Sequence, residues 1–214
     1  MKDVFVETNW VVDYCAPAHQ RVPAAVELLK AANAGVIKLH LPSPCVSESR
    51  SVTRLRFQPR EADSLRRYLK WARVAGHVRD VDDEATRRVL EQFEVLVKSD
   101  LDNLEKTLDG LRAEKGIEIF PLSEAMLERS LSLATEKLDL KPFDNAILAA
   151  ILVRAKDLAK EGRMDMAFCE LDGDLQPWGK HGVNKPVLKR LYDDAHVWVY
   201  GDFTMTTPEP PPNW

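Results

Sequence analysis

The sequence predicts an α/β fold: a three-layer sandwich with a central, mostly parallel sheet and a helical insertion. Short apolar runs that suit buried strands alternate with amphipathic helical patterns near both ends of the chain, and this alternation favours a parallel sheet. Between them, from residue 49 to about residue 115, the pattern is almost entirely helical. With 214 residues and a hydrophobic content of 45%, the chain is long enough for one domain with an insertion.

The predicted elements follow one another in a regular order. The apolar run at 4–6 predicts a first strand, and polar residues at 7–9 lead from it into a helix. An amphipathic helix around 22–29 precedes a strand at 36–41, which ends at Pro42. The remaining elements are a strand at 117–120, a helix at 123–136, an apolar helix over 146–153, and strands at 166–169 and 196–200.

The insertion is expected to form a helical hairpin or lid. Apolar residues recur on one face of each of its helices. They are Leu65, Tyr68, Leu69 and Ala72 in the first helix, and Val89, Phe93, Val97 and Leu101 in the second.

A single domain over residues 1–204 is therefore predicted, with the insertion at about 49–115 and a loose proline-rich tail at 205–214. No apolar run approaches the roughly 20 residues that cross a bilayer, and the amino terminus lacks the apolar segment of a secretory signal. A cytoplasmic protein with no membrane partner is expected. The three widely spaced cysteines suit reduced structural thiols better than a disulfide framework or a zinc site. Core packing is expected for Trp10, Trp71 and Trp178.

The charge of the chain is distributed unevenly. The formal net charge is −4, but residues 49–79 contain nine basic and two acidic side chains, a local charge of +7. Such a stretch can face phosphates, and Arg50, Arg54 and Arg56 are the candidate nucleic-acid contacts. A solvated helix surface and a surface covered by an acidic partner explain the same pattern equally well.

Four carboxylates fall where a parallel sheet would bring them together. Glu7 and Asp172 each follow a predicted strand, Glu48 opens the helix after the second strand, and Asp144 lies in the first helical turn after Pro142. Such positions converge in one crevice at the carboxyl ends of the strands. Carboxylates gathered there repel one another unless a cation lies between them, and hard oxygen ligands suit Mg²⁺ or Mn²⁺.

These segments resemble the motifs of PIN-domain nucleases. Residues 4–9 resemble the opening strand and acid-Thr-Asn motif, and 41–48 are similar to the second motif, a strand that ends in proline before a helix with a glutamate. The surroundings of Asp144 resemble the third motif, and residues 170–175 the fourth. The chain departs from the family in three ways: Glu7 stands where the family has Asp, Glu170 replaces the usual Thr or Ser, and the helical insertion is longer than in compact bacterial PIN toxins.

The resemblance implies a Mg- or Mn-dependent endoribonuclease, in one version of the toxin type, that hydrolyses single-stranded RNA or RNA in a structured loop. An antitoxin-like protein partner and a homodimer are left open. The implied site residues are Glu7, Glu48, Asp144 and Asp172 for catalysis, Glu7, Asp144, Asp172 and Asp174 for metal binding, and Thr8 and Asn9 in support.

Several of the candidate residues also have an ordinary structural explanation, whereas Glu7, which directly follows an apolar strand, is harder to explain without a function. Asp144 suits a helix amino terminus through the helix dipole, and aspartates at 172 and 174 suit a turn. Glu48 can be an exposed helix charge, and Asn9 can cap the first helix with its side chain. The departures from the family pattern at Glu7 and Glu170 make a catalytically degenerate PIN-like module that binds RNA or protein the alternative function. A flavodoxin-like phosphoacceptor also clusters acids at strand ends, but the long insertion disfavours it.

Overall fold

A computed structural model describes residues 1–18, 20–57, 61–136, 138–171, 173–178 and 185–205, and of residues 61–63 the backbone only. The predicted tail, from 206 onwards, and Asp172 lie outside the described residues. The strands are β1 (Lys2–Phe5), β2 (Ile37–Pro42), β3 (Ile117–Phe120), β4 (Met166–Cys169) and β5 (Val197–Tyr200). The helices are α1 (Thr8–Cys15), α2 (Pro23–Asn33), α3 (Ser43–Phe57), α4 (Glu61–Val74), α5 (Asp80–Gly110), α6 (Glu124–Thr135), α7 (Pro142–Lys160) and α8 (Pro186–Asp194).

The five strands form one parallel sheet in the order β3-β2-β1-β4-β5, with helices on its faces. This confirms the predicted α/β class and its central parallel sheet. The chain runs outward from β1 through β2 to β3, and then crosses back to β4 and β5. Because parallel crossovers are right-handed, the helices of these two halves lie on opposite faces of the sheet.

The helix α7 contributes more buried residues than any other described helix. Pro142 begins it at a position where a missing N–H costs nothing, and its buried residues point in almost every direction, as its apolar pattern predicts. It packs against α6 and contacts β2. None of the helices in the described parts of the chain combines the length and apolarity needed to cross a bilayer.

A buried ionic network links three neighbouring strands beneath α7. His40 on β2 is fully buried, with Nε2 2.7 Å from Asp3 Oδ1 on β1 and Nδ1 2.8 Å from Glu118 Oε2 on β3. Arg163 donates to the carboxylate of Asp3, and Arg154 donates to Glu118 at 2.8 Å. Burial lowers the pKa of His40 below its ordinary value, against the opposing influence of the two carboxylates. Two carboxylates and two guanidiniums therefore balance one another around the imidazole of His40.

The predicted insertion corresponds to α3, α4 and α5, which lie between β2 and β3. Leu104 and Leu108, near the end of α5, are buried in the main core, where α5 packs against α1 and α3. The first half of α5 instead packs against α4. The insertion is thus anchored at one end and extends away from the sheet as a two-helix hairpin.

Candidate functional site

The crevice of the sheet lies between β1 and β4. These strands are neighbours, and the chain leaves β1 toward one edge of the sheet and β4 toward the other. Loops that depart in opposite directions open a cleft at the carboxyl ends of the strands, where ligands of open α/β sheets bind. Glu7 follows β1 at this point, and the segment beginning at Glu170 follows β4.

Glu7 caps the helix that follows it. It is the N-cap residue of α1, and its Oε1 accepts a hydrogen bond of 2.8 Å from the backbone N–H of Asn9. Only 8% of Glu7 is exposed, so its carboxylate is held in the crevice by the helix start. The prediction that Asn9 caps this helix with its side chain is wrong, because Asn9 lies inside α1, two residues after the N-cap residue Glu7, and it is the side chain of Glu7 that accepts from a backbone N–H.

Thr8 follows Glu7 in the chain and is hydrogen-bonded to Glu48, so it lies between the first two predicted carboxylates. Its hydroxyl donates a short hydrogen bond to Oε2 of Glu48, which α3 presents beside α1. Thr8 is buried and Glu48 is half-buried, so this contact is largely screened from water. Cys45, one turn before Glu48 on α3, is fully buried, and its pKa is raised first by desolvation and then by the charge of Glu7, with a smaller contribution from Glu48. Glu7 and Glu48 therefore lie around one protonated thiol.

Asp144 and Asn145 lie in the first turn of α7. Because α7 runs back along the sheet before β4, its amino terminus points to the carboxyl edge of the strands. Asp144 is half-buried there, and Asn145 is only 8% exposed. Among the described residues, no hydrogen-bond partner reaches Oδ1 of Asn145. A buried amide oxygen without a donor is costly, and it is an acceptor suited to a cation or a bound donor.

The loop after β4 is held by Lys185. The ammonium group of Lys185 donates to the carbonyl oxygens of Gly173 at 2.9 Å and Asp174 at 2.7 Å. Lys141, just before α7, places Nζ 3.9 Å from Oδ2 of Asp174. This ion pair brings the start of α7 and the loop after β4 to the same end of the sheet.

Two further side chains fix the same loop from below. Gln176 Nε2 donates to the carbonyl oxygen of Glu170 at 2.6 Å, and the hydroxyl of Tyr192 donates to the carbonyl oxygen of Leu175 at 2.9 Å. Tyr192 is fully buried, and desolvation, together with the nearby charge of Glu170, raises its pKa well above the ordinary value. The phenol therefore remains a hydrogen-bond donor and holds the backbone at Leu175.

The structure brings some of the predicted site residues together directly. Glu7, Thr8 and Glu48 are connected through hydrogen bonds and Cys45, whereas Asp144 and Asp174 lie on elements joined by the Lys141 ion pair. Within the described ranges, no three His, Cys, Asp or Glu side chains are arranged to hold a metal ion. Since Asp172 lies outside the described residues, the full four-carboxylate cluster stays a prediction.

The three arginines predicted to contact nucleic acid have acidic neighbours within the chain. Arg50 and Arg54 both pair with Glu105 of α5, at 2.9 and 2.8 Å, and Arg56 pairs with Asp13 of α1 at 3.2 Å. Their side chains remain 44–65% exposed. Much of the positive charge of α3 is thus compensated by the neighbouring helices, and nucleic-acid contact by these arginines stays a prediction.

Sequence reasoning missed several residues that shape the site. Lys185 and Tyr192 belong to or adjoin α8, a helix that was not predicted, although Leu188, Leu191 and Tyr192 recur at helical spacing after Pro186. Asn145 stands next to a predicted site residue, but nothing in the sequence indicates that its amide oxygen is buried.

No family model matches the chain, and comparisons with curated proteins and with solved structures also find no match.

Proposed function

We propose that the protein is a metal-dependent endonuclease of PIN-like type that hydrolyses RNA phosphodiesters at the carboxyl edge of its sheet. The observation that carries this proposal is the position of Glu7 and the loop after β4 on either side of the switch point between β1 and β4. The choice of RNA as substrate comes from the motif resemblance. The acidic crevice itself is compatible with any phosphodiester that arrives together with a cation.

The donor groups at this edge are hard oxygen ligands. Burial and the neighbouring charge of Glu7 keep Cys45 in its thiol form, so it does not compete as a thiolate ligand. Carboxylates such as Glu7, Asp144 and Asp174, together with the amide oxygen of Asn145, suit Mg²⁺ or Mn²⁺ better than softer metals. Asp172 completes this proposed donor set. When bound, such a metal lowers the pKa of a water and neutralises charge on the scissile phosphate.

The chain also supplies positive potential to the same edge. The amino termini of α1 and α7 both point there, and backbone N–H groups at a helix start attract anions. The Asn9 N–H already donates to Glu7, which holds that carboxylate in one orientation. Lys141, whose side chain is 78% exposed, can contact a phosphate oxygen while it remains near Asp174. Thr8 likewise orients Glu48, so that two of the proposed catalytic carboxylates, Glu7 and Glu48, each have a neighbour that fixes them.

Cleavage of a fluorescently labelled single-stranded RNA tests the proposal. The wild-type protein is expected to cut with Mn²⁺ and to stop when a chelator is added, and Asp144→Asn is expected to reduce the rate by more than about 100-fold. Asp157→Asn is the matched control, because Asp157 lies on the same helix but at its far end, where it pairs with Lys160. Cleavage that survives both the chelator and Asp144→Asn would refute the assignment. A DNA strand of the same sequence identifies which nucleic acid is preferred.

A second candidate is a PIN-like module that binds RNA or protein without turnover. One observation favours it: Glu7 and Glu48 each already accept a hydrogen bond from within the chain. In this case RNA or a protein binds to the crevice, but no cleavage accompanies binding at any metal concentration. If cleavage is observed, growth arrest on expression, relieved by a neighbouring small protein, separates a toxin from a housekeeping nuclease.

A further inference from the structure

The hairpin of the insertion has its own small contact region, separate from the main core. We call α4 and residues 80–99 of α5 the arm. The two helices of the arm contact each other, and Ala72 of α4 is fully buried while Leu90 of α5 is 7% exposed. Neither Ala72 nor Leu90 belongs to the hydrophobic cluster around the sheet. Two helices that pack only on each other leave the rest of their apolar surface in water.

One side of the arm exposes a group of large apolar side chains. Their exposed fractions are 59% for Tyr68, 58% for Trp71, 63% for Val89, 41% for Phe93 and 65% for Leu96. We call these five residues the apolar face. The rings of Tyr68 and Trp71 lie 5.9 Å apart, so the two aromatic residues of α4 form one continuous surface. The core packing expected for Trp71 from its residue type is therefore wrong.

Helical geometry shows that the five residues share one side of the arm. At 100° per residue, Tyr68 and Trp71 lie on the opposite flank of α4 from Arg66 and Arg73. Those arginines pair across the hairpin with acidic residues of α5, Arg66 with Glu94 at 2.5 Å and Arg73 with Asp83 at 3.3 Å. The ion pairs therefore occupy one side of the hairpin, and the residues of α5 in the apolar face lie with those of α4 on the other.

We infer that the apolar face is a homodimer interface, on which the arm of a second copy packs to form a four-helix bundle. The charges of the two helices favour a second copy as the occupant. Within the arm, α4 contains four basic and two acidic side chains, whereas residues 80–99 of α5 contain three basic and six acidic ones. Two-fold packing that sets α4 of one copy beside α5 of its partner therefore places helices of opposite net charge next to each other. The acidic α5 repels nucleic acid and anionic lipid surfaces.

The size of the face is also adequate for a dimer. Aromatic side chains contribute about 150–250 Å² each when buried, so the exposed parts of the apolar face amount to roughly 500 Å² per copy. Two copies bury roughly 1,000 Å² of apolar surface, and the flanking polar side chains bring the total toward the range of about 1,200–2,000 Å² that specific interfaces bury. This interface does not depend on the proposed nuclease function.

Light scattering on the full chain, measured over about 1–100 µM, tests the inference. The expected species is a dimer of twice the 24.3 kDa chain mass. Phe93→Asp is expected to weaken dimerisation by more than about 100-fold, since a central apolar anchor becomes a buried charge. Val95→Asp is the matched control: Val95 is 70% exposed on the same helix, but about 200° round from Phe93. The control is expected to remain a dimer.

A chain that stays monomeric over the whole concentration range would overturn the inference. A single copy bound to a different protein, with no second copy present, would overturn it as well. A dimer that both variants weaken equally, or that Phe93→Asp leaves intact, would overturn the choice of face. Hydrogen exchange of the wild-type protein gives a reading that does not rely on a variant. The amides of α4 and of residues 89–96 are expected to become more protected as the protein concentration rises, and unchanged protection contradicts the interface.

Discussion

Replacing Thr8 with valine removes the hydroxyl that donates to Glu48 and keeps the shape of the side chain. Thr8 is 6% exposed, so no water readily takes the place of the lost donor, and the Glu48 carboxylate loses a charge-assisted hydrogen bond. Loss of such a bond at a partly buried group costs about 1–3 kcal/mol. In urea unfolding this corresponds to a decrease of roughly 0.5–1 M in the midpoint for a chain of this size.

Thr8→Ser is the control for this experiment, because it keeps the hydroxyl and removes only a methyl group. The serine variant loses the burial of one methyl group, about 0.8 kcal/mol, and is expected to unfold at a higher urea concentration than the valine variant, measured by circular dichroism and tryptophan fluorescence together. If the valine and serine variants unfold at the same urea concentration, the hydrogen bond between α1 and α3 contributes nothing, and the coupling of Thr8 to Glu48 has to be abandoned.

Three further predictions concern the sheet and the loop beside the site. Burial lowers the pKa of His40, so the folded state resists protonation of this side chain, and the free energy of unfolding is expected to fall as the pH drops below about 6.5. Urea midpoints that do not decrease between pH 8 and pH 5 would contradict this. Gly116→Ala places a Cβ 2.4 Å from the backbone of Ala32 and is expected to cost about 1–3 kcal/mol in thermal unfolding, whereas Gly110→Ala meets nothing within 4 Å and is not expected to destabilise. Lys185→Met is expected to loosen the loop after β4, and hydrogen exchange at residues 173–176 should increase while that of β1 stays constant.

The framework of the fold was accessible from the sequence because its short strands are rich in apolar residues and its central helix is apolar on nearly every side. The strands at 117–120 and 166–169 were predicted with the bounds that the structure has, and the buried α7 follows from its continuous apolar pattern. Buried elements leave little choice of residue type, so their pattern is nearly unambiguous. The amphipathic α8 was missed, since it is short and follows a stretch without a clear period.

Side-chain pairing was much less accessible. The sequence placed Tyr68 and Ala72 on one apolar face of a helix, but only Ala72 is buried, because a two-helix arm covers a narrow strip of each helix. The local +7 charge of residues 49–79 similarly gave no sign that Arg50 and Arg54 pair with a glutamate more than 50 residues away. Which groups meet across such distances depends on the packing of α3 against α5, and no local pattern encodes it.

Within the site, the role of Glu7 likewise could not be predicted from the sequence. The sequence identified Glu7 as a candidate ligand and Asn9 as a candidate cap, whereas the structure gives the capping role to Glu7. A residue that caps a helix and faces a crevice can serve both purposes, since each carboxylate has two oxygens. Oε1 of Glu7 accepts from the backbone N–H of Asn9, and a metal in the crevice would bind to the same carboxylate.

Calorimetric titration of the wild-type protein and of Glu7→Gln with Mn²⁺ measures the affinity for the metal and tests the central claim most directly. The amide keeps an oxygen that can cap α1 but removes the negative charge. We expect saturable binding to the wild-type protein and to the Asp157→Asn control, and an affinity lower by more than about 100-fold in Glu7→Gln. Equal binding by all three proteins, or no binding to the wild type at millimolar Mn²⁺, would contradict a metal site at the carboxyl edge of β1 and β4.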